Sequence, residues 1–257
     1  MKRHPERSNS ALFLERRYSP LAFAASLCLG IFMISPAARA APSPEVPASL
    51  EKTFQALGAS FGSKNKQKVI VKSGPVARAM LRGASPGKCW QVSLGGADFR
   101  ITIEDTVKMD VEDCLRRLEQ VPASYRVAFQ IVSEGKKDGV AFYSDLDGAA
   151  AHGSQEYLNV IPQANALVMV HEAGHILSQR AEPAIPGMNE KWSEAIAKDG
   201  ISVSPYGDTV AHEDLAEFAR IHAMCLDAGP EKLAELKKLS PCRHALWEAI
   251  QKAAKAE

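Results

Sequence analysis

Residues 171–175 read His-Glu-Ala-Gly-His, two histidines four positions apart with a glutamate directly after the first. Residues four apart on an α-helix share one face, so both imidazoles can bind a single metal ion. Glu172 lies about 100° further around such a helix, where it can reach a water molecule beside the metal without ligating the metal. This combination is typical of zinc-assisted attack of water on a carbonyl group.

The motif lies in an apolar stretch, residues 165–177, that predicts a helix with a buried face. We expect Asn165 to cap the start of this helix and Pro183 to bound its far end. A buried histidine pair without a metal would need other partners for its ring nitrogens, so this setting favours a metal site. The alternative is a chance occurrence of the pentapeptide on an ordinary core helix.

A third protein ligand is needed, because zinc hydrolases of this kind use three and leave a fourth position for water. Glu213 and Glu217 are four apart on a second apolar-faced helix and share one side of it. Two partly buried carboxylates repel each other unless each has its own partner. We expect Glu213 to ligate the metal and Glu217 to accept a hydrogen bond from a ligand histidine. Alternatively, this is a charged helix face on which Glu217 pairs with a lysine or arginine.

Tyr206 and His212 lie close to Glu213 in the sequence. Tyr206 stands seven positions before it, in the sequence Ser-Pro-Tyr-Gly, and its phenol can donate a hydrogen bond to an oxyanion that develops during hydrolysis. The alternative is a tyrosine that serves only the turn. His212 directly precedes Glu213, and we expect it to point to a different face and not to ligate the metal.

In combination, these motifs and their spacing resemble those of the anthrax lethal factor-like metallopeptidases, a group that includes the Pro-Pro endopeptidases and belongs to the gluzincins. The resemblance covers residues 155–225 and lies in His-Glu-Ala-Gly-His, in Ser-Pro-Tyr-Gly and in Glu-Asp-Leu-Ala-Glu. Nothing in the chain resembles the large receptor-binding and substrate-binding modules of the toxin, so toxin activity is not implied. The resemblance implies that His171, His175 and Glu213 hold one Zn²⁺ per chain. It implies that Glu172 is the general base and Tyr206 the catalytic tyrosine, and Glu217 matches a further acidic position.

The first forty residues have the pattern of an export signal. Five basic residues within the first 17 positions precede an apolar stretch at residues 21–34, and Ala38-Arg39-Ala40 is a small-x-small cleavage site. We expect cleavage after Ala40, a secreted or periplasmic location, and no stable membrane association afterwards. An uncleaved anchor is the alternative, although about 14 apolar residues are short for a membrane span.

Charge excludes one class of partner. The whole chain carries 31 basic and 30 acidic residues, of which residues 1–40 hold six and two, so the mature chain would carry 25 and 28, a net charge of −3. Nucleic-acid binding needs a basic surface, so we expect no nucleic-acid partner. The partner that the metallopeptidase resemblance implies is a peptide or protein substrate. The composition leaves the oligomeric state open.

Four cysteines remain after removal of the signal. An even number in an exported chain predicts two disulfides. Of the three possible pairings we favour Cys89–Cys114 and Cys225–Cys242. Metal ligation by cysteine is the competing interpretation, and the absence of any Cys-x-x-Cys spacing argues against it.

The rest of the chain predicts one domain. We expect residues 1–40 to be the signal, residues 41–64 a Pro-rich lead-in with a short helix at 50–61, and residues 65–257 the metallopeptidase domain. The order of the elements predicts an α+β fold, with a twisted sheet packed on the helix of the His-Glu pentapeptide and a mostly helical C-terminal part. The resemblance implies that this fold is a zincin-like metallopeptidase domain. The predicted strands are 68–72, 90–94, 99–103, 125–132, 140–143 and 157–161, and the predicted helices include 76–82 and 111–120.

Two further structural expectations bear on the site. We expect Asp208 or Thr209 to cap the helix of Glu213, and Gly229-Pro230 to end it. Either residues 145–153 or residues 157–160 are expected to supply a strand edge that pairs with an extended substrate.

The sequence therefore predicts an exported zinc endopeptidase. One alternative is a non-catalytic, zinc-stabilised binding protein, against which the presence of both Glu172 and Tyr206 argues. The other is a metallohydrolase that cleaves amides other than peptide bonds. These alternatives share the zinc site and differ in whether any peptide bond is cut.

Overall fold

The computed structural model describes residues 49–256, and its first half is dominated by strands. A long antiparallel ribbon consists of β1 (Val69–Ala79), β2 (Pro86–Leu94) and β3 (Ala97–Glu104). Three shorter strands follow, β4 (Val140–Phe142), β5 (Ala151–Ser154) and β6 (Tyr157–Val160).

The strands form one open, mixed sheet in the order β1-β2-β3-β4-β6-β5. β4 pairs parallel with both β3 and β6, whereas β5 pairs antiparallel with β6 in a hairpin. β1 and β5 are therefore the two edges. The edge strand β5 lies beside the helix of the His-Glu pentapeptide.

Helices make up the second half. Before them stand α1 (Leu50–Phe54), α2 (Val111–Glu119) and α3 (Val127–Ile131), with 3₁₀ segments at Gln55–Ser60 and Ala123–Tyr125. A third 3₁₀ segment, Gly207–Thr209, lies within the C-terminal part, directly before the helix that begins at Ala211. The C-terminal part then consists of α4 (Ala166–Ala181), α5 (Met188–Asp199), α6 (Ala211–Ala228), α7 (Pro230–Leu239) and α8 (Pro241–Ala253). The described chain is thus α+β, with eight α-helices and a six-stranded sheet within residues 49–256.

The core lies between one face of the sheet and α4, and it continues into the layer of α6 and α8. Val92, Leu94 and Ile101 from the sheet share this core with Val170 and Ile176 of α4. Burial of such side chains supplies most of the driving force for folding, at roughly 1.5–3 kcal/mol for each one fully buried. α4 is consequently held between the sheet and the other helices, and its position does not depend on a ligand.

Gly174, within the pentapeptide, permits a close approach of α4 and α6. A Cβ atom at this position would lie 3.0 Å from the Cα of Ala216 and 3.0 Å from the Cβ of Ala219. Such contacts are tighter than ordinary packing, so a larger residue would push the two helices apart. The glycine therefore helps to bring the α4 histidines and the α6 carboxylates within reach of one another.

Several predicted elements are confirmed, and two are wrong. Residues 125–132 form the 3₁₀ turn and α3 instead of a strand, because a short apolar run fits a buried helix as well as a buried strand. Residues 76–82 do not form a helix, since β1 continues through Ala79 and its residues Val76–Ala79 pair with β2. A strand partner supplied by the tertiary fold here overrides the local preference.

The helix ends show why caps are only partly predictable. The side chain of Asn165 accepts a hydrogen bond from the Val168 N–H at 3.1 Å, as predicted. α6 ends before Gly229, also as predicted, but its N-cap is Val210 and no side chain caps it. The expected caps have other partners: Asp208 accepts a hydrogen bond from Ser202 and Thr209 donates one to the Tyr206 carbonyl, both at 2.7 Å.

The structure contains neither expected disulfide, and all four described cysteines are free. On β2, the side chains of Trp90 and Val92 pack into the core. Because side chains alternate along a strand, the Cys89 side chain points to the opposite face of the sheet. Cys114 lies inside that core, so the sheet separates the first pair. In the second pair, Cys225 lies near residues of α7, whereas Cys242 lies beside Asp199 at the end of α5.

The expected signal peptide and its cleavage after Ala40 lie outside the described residues. Within residues 49–256, none of the helices combines the length and the apolar character that a membrane span requires. α1, which the sequence analysis assigned to the lead-in, packs into the core through Leu50 and Phe54.

Candidate metal centre

Three side chains converge at one point between α4 and α6. Ligand atoms of His171, His175 and Glu213 all lie within 4.8 Å of one another. The carboxylate atom Oε2 of Glu213 is 3.2 Å from Nε2 of His171 and 3.5 Å from Nε2 of His175. Two histidines on one helix face and a carboxylate from a second helix are a donor set that suits Zn²⁺.

The surroundings of this set fit a cation. Oε2 of Glu213 is buried and forms no well-aligned hydrogen bond with another described residue, although the two histidine nitrogens lie close to it. Burial, together with the charge of His171, lowers the pKa of His175 to about 4, so its imidazole is neutral near pH 7 and keeps a lone pair. A neutral histidine beside a buried carboxylate oxygen is a ready ligand pair for a divalent metal.

Glu217 orients the first histidine from behind. The Nδ1 of His171 lies 2.9 Å from Oε1 of Glu217, and the second carboxylate oxygen accepts hydrogen bonds from Ser204 at 2.9 Å and from Arg220. Burial works to raise the pKa of Glu217, but the His171 hydrogen bond and the Arg220 charge bring it below its ordinary value. A charged Glu217 favours the tautomer in which His171 presents a free Nε2 to a metal.

Glu217 thus has the two partners that its alternative interpretations name. Its carboxylate contacts His171, a candidate metal ligand, and also pairs with Arg220, which in turn contacts Glu51 of α1 at 2.8 Å. Burial tends to lower the pKa of His171, but the Glu217 hydrogen bond and the nearby carboxylates raise it above its ordinary value. The network fixes the ring of His171 in one orientation.

We predict that Glu217→Gln weakens metal binding without unfolding the protein. Loss of the charged partner removes the control over the His171 tautomer, and supporting residues of this kind are typically worth 10- to 100-fold in metal affinity. Competition with a chromophoric zinc chelator measures the change. Glu231→Gln, the same substitution on the exposed surface of α7, is the matched control, and equal zinc affinity in both variants would contradict the assigned role.

Glu172 faces the same point from α4 but does not belong to the ligand set. Burial raises its pKa to about 7, and the neighbouring Glu213 adds to this, whereas His171 and the N–H of Gly153 act in the opposite direction. A carboxyl group with a near-neutral pKa can both accept and release a proton at neutral pH. Its position beside the ligands, on the next face of the helix, is the one that the sequence predicts.

Gly153 brings the sheet edge against Glu172. A Cβ at residue 153 would lie 2.8 Å from the Cβ and from Oε2 of Glu172, so only glycine fits between β5 and α4 without displacement. The edge strand therefore borders the carboxyl group directly. Two segments were expected as the substrate-binding edge, residues 145–153 or residues 157–160. β5 is an edge of the sheet, whereas β6 lies between β4 and β5 and is not.

Tyr206 stands at the opposite wall. Its ring centroid is 5.9 Å from that of His171, and just over half of the residue is exposed. Burial of the hydroxyl and the charge of Glu213 raise its pKa to about 12, so the phenol remains a donor at neutral pH. The turn is held against α6 because Gly207 donates a hydrogen bond to Ser204 at 3.0 Å and is itself buried.

These side chains line a cleft of about 470 Å³. One wall is β5 with Tyr157, the floor is α4 and the other wall contains Tyr206 and Glu213. His212 lies outside the set of converging ligand atoms but close to it: its Nε2 is 3.4 Å from Oε1 of Glu213, and its ring lies 5.8 Å from that of His175. In the first turn of α6, an imidazole on the adjacent face still reaches the mouth of the cleft.

Sequence reasoning missed the residues that support the site from other elements. Ser204 and Arg220 complete the environment of Glu217, and no local pattern marks them. Asp214, next to Glu213, is buried between the Trp192 indole N–H at 2.8 Å and the guanidinium of Arg243 at 3.0 Å. Only the packing of α5 and α8 against α6 brings these groups together.

In comparisons with protein-family models, with curated proteins and with solved structures, the chain matches none.

Proposed function

We propose that this protein is an exported zinc-dependent endopeptidase with a zincin-like domain, similar to the gluzincins of the lethal factor and Pro-Pro endopeptidase type. One observation carries the proposal: the buried Oε2 of Glu213 converges with the Nε2 atoms of both pentapeptide histidines in an open cleft. The signal-like pattern of residues 1–40 supports export.

His171, His175 and Glu213 would hold the metal. A bound Zn²⁺ supplies a Lewis acid that lowers the pKa of water and polarises a carbonyl group. Glu172 accepts the proton of the attacking water and passes it to the leaving nitrogen, a task that suits its pKa near 7. Tyr206 donates a hydrogen bond to the carbonyl oxygen as negative charge develops on it.

The edge strand β5 supports a peptide as the substrate. An unpaired strand edge presents backbone N–H and C=O groups that can pair with an extended chain. Because β5 borders Glu172 through Gly153, a peptide paired with this edge runs directly past the general base. This arrangement favours endopeptidase activity over cleavage of a small amide, which would need no such edge.

Tyr206→Phe is expected to lower kcat by about 10²- to 10³-fold, the usual loss when one oxyanion donor is removed. KM is expected to change little, because the hydrogen bond forms mainly in the transition state. Steady-state kinetics on a cleaved peptide separate the two constants. Since Tyr206 is largely exposed, the variant is expected to fold and bind zinc normally, and a loss confined to KM would contradict the role.

The proposal as a whole is tested with a proteome-derived peptide mixture. Protein purified after expression of the full chain is loaded with Zn²⁺, incubated with the mixture and analysed for new peptide termini by mass spectrometry. We expect internal cleavages that a chelator abolishes and that added Zn²⁺ restores. Zinc bound at one per chain without any new termini would contradict the endopeptidase and favour a binding protein or a hydrolase of other amides.

A further inference from the structure

A second cavity, of about 540 Å³, lies on the face of the sheet opposite the helices. We call it the outer pocket, and its walls include Leu81, Arg82, Tyr143, His152, Tyr157 and Asn159. Tyr157 and His152 also line the metal cleft, so the two cavities meet at the edge strand β5. The proposed metal site makes no use of the outer pocket.

Asn159 is the informative residue of this pocket. Its neighbours Leu158 and Val160 belong to the core, so alternation along β6 directs the Asn159 side chain to the opposite face. The residue is only 7% exposed, and it lines the outer pocket, so what remains accessible of it opens onto that pocket. Its carboxamide offers both a donor and an acceptor to a molecule that enters the pocket.

The charged groups around the pocket are already compensated. Arg82 pairs with Asp147 and contacts Nδ1 of His152 at 3.3 Å. Lys137 donates a hydrogen bond to the Gln155 carbonyl at 2.8 Å and lies 3.6 Å from Glu156. An ionic ligand would find no free counter-charge here, so the pocket favours an uncharged one.

The rest of the lining is apolar or offers single hydrogen bonds. Leu81 and Tyr157 present exposed apolar surface, and the Tyr143 hydroxyl accepts a hydrogen bond from the Arg82 N–H at 3.1 Å, which leaves its own proton to donate. An aliphatic stem would pack against these walls, while a terminal amide would pair reciprocally with the carboxamide of Asn159. A glutamine side chain has this combination.

The edge strand provides the link to the metal cleft. In the β5–β6 hairpin His152 stands opposite Asn159, so both side chains point to the outer pocket, whereas Gly153 faces Glu172. A peptide paired with β5 alternates in the same way. If one residue of such a peptide faces the metal cleft, the next residue along the chain directs its side chain into the outer pocket.

We propose that the outer pocket is a specificity subsite that binds a long, uncharged, amide-bearing side chain, such as glutamine, on the residue adjacent to the one at the metal. The inference rests on the proposed function in taking the ligand to be a peptide paired with β5. Asn159 is its specificity-determining residue, and Tyr143 adds a second donor.

Binding is tested without hydrolysis, on metal-free protein. The probes are N-acetylglutamine methylamide and N-acetylnorleucine methylamide, which have side chains of similar length with and without the amide, and the signal is the side-chain NH₂ resonance of Asn159. We expect a saturable shift with the glutamine probe and none with the norleucine probe. Equal shifts with both probes, or none with either, would overturn the proposal.

Variants extend the test to cleavage. The preference is the kcat/KM for a glutamine peptide divided by the kcat/KM for the matching norleucine peptide. Asn159→Leu is expected to lower this preference about tenfold, which corresponds to the loss of about one hydrogen bond to a buried partner. Asn189→Leu, on the exposed face of α5, is the control and is expected to leave the preference unchanged. Cleavage without glutamine preference would overturn the subsite and leave the endopeptidase standing. Selective probe binding without any cleavage would support the pocket and contradict the endopeptidase.

Discussion

Replacing Glu172 by alanine is expected to lower kcat/KM for peptide hydrolysis by about 10²- to 10⁴-fold while zinc binding persists. The carboxyl group is not among the three ligands, so its loss leaves the metal set intact. It is buried beside that set with a pKa near 7. Among the described residues that line the cleft, the other carboxyl group is that of Glu213, which belongs to the set. Glu172→Gln, which keeps the shape of the side chain but cannot accept a proton, is expected to lower kcat/KM by a similar factor.

The measurement compares zinc content and peptide cleavage in the same preparations. Elemental analysis gives the zinc per chain, and steady-state kinetics give kcat/KM. Glu194→Gln, on the exposed side of α5, is the matched control and should retain full activity. Undiminished cleavage by Glu172→Ala would exclude the carboxyl group as the general base, and loss of zinc along with activity would make it a structural support of the metal site.

Arg243→Met is expected to destabilise the protein by about 3–5 kcal/mol, the usual effect of breaking a buried ion pair from one side. The Arg243 side chain is fully buried between two carboxylates, with Nε at 3.1 Å from Asp199 and Nη1 at 3.0 Å from Asp214. Its remaining nitrogen donates to the Ile201 carbonyl at 2.7 Å. Methionine fills the volume of the stem but leaves both carboxylates without their cation.

Urea unfolding measures this loss, and Arg116→Met is the control. Arg116 is largely exposed and pairs only with Asp113 one turn away, so the same substitution there should change stability by less than about 0.5 kcal/mol. Arg243→Lys is a second variant that retains the charge, but a single ammonium cannot reproduce the planar set of donors, so we expect an intermediate loss. Equal stabilities of Arg243→Met and Arg116→Met would contradict the importance of the network.

This buried arginine also bears on the metal centre. Asp214 follows Glu213 in the first turn of α6, and its contacts with Arg243 and Trp192 anchor that turn to α8 and α5. Burial raises the pKa of Asp214 although the Arg243 charge opposes the rise, so the carboxyl group would take up a proton readily if the arginine were lost. The orientation of the third ligand thus depends on helices that contribute no residue to the cleft.

Local spacing in the sequence was enough to predict the geometry within each helix of the candidate site. Helical periodicity turns the interval between His171 and His175 into a shared face, and it places Glu172 beside that face. The same rule relates Glu213 to Glu217, and Asn165 caps α4 as its residue type predicts. These inferences hold because they depend on the geometry of one element alone.

Contacts between elements were decided only by the tertiary structure. The close approach of β5 to Glu172 depends on Gly153, which has no side chain. The anchoring of Glu217 depends on Ser204 and Arg220. The orientation of His212 depends on where the first turn of α6 lies. An even number of cysteines predicted bridges, but the sheet separates Cys89 from Cys114. Likewise, residues 76–79 became strand because β2 offered them a partner.

The sequence by itself therefore determined that His171 and His175 share a helix face and that Glu172 stands beside that face, because spacing along a helix fixes direction. The tertiary structure decided what surrounds that chemistry: the edge strand beside the cleft, the outer pocket behind it and the buried ion pairs that hold α6. These features depend on which side chains the whole core brings into contact, and such contacts join residues far apart in the chain.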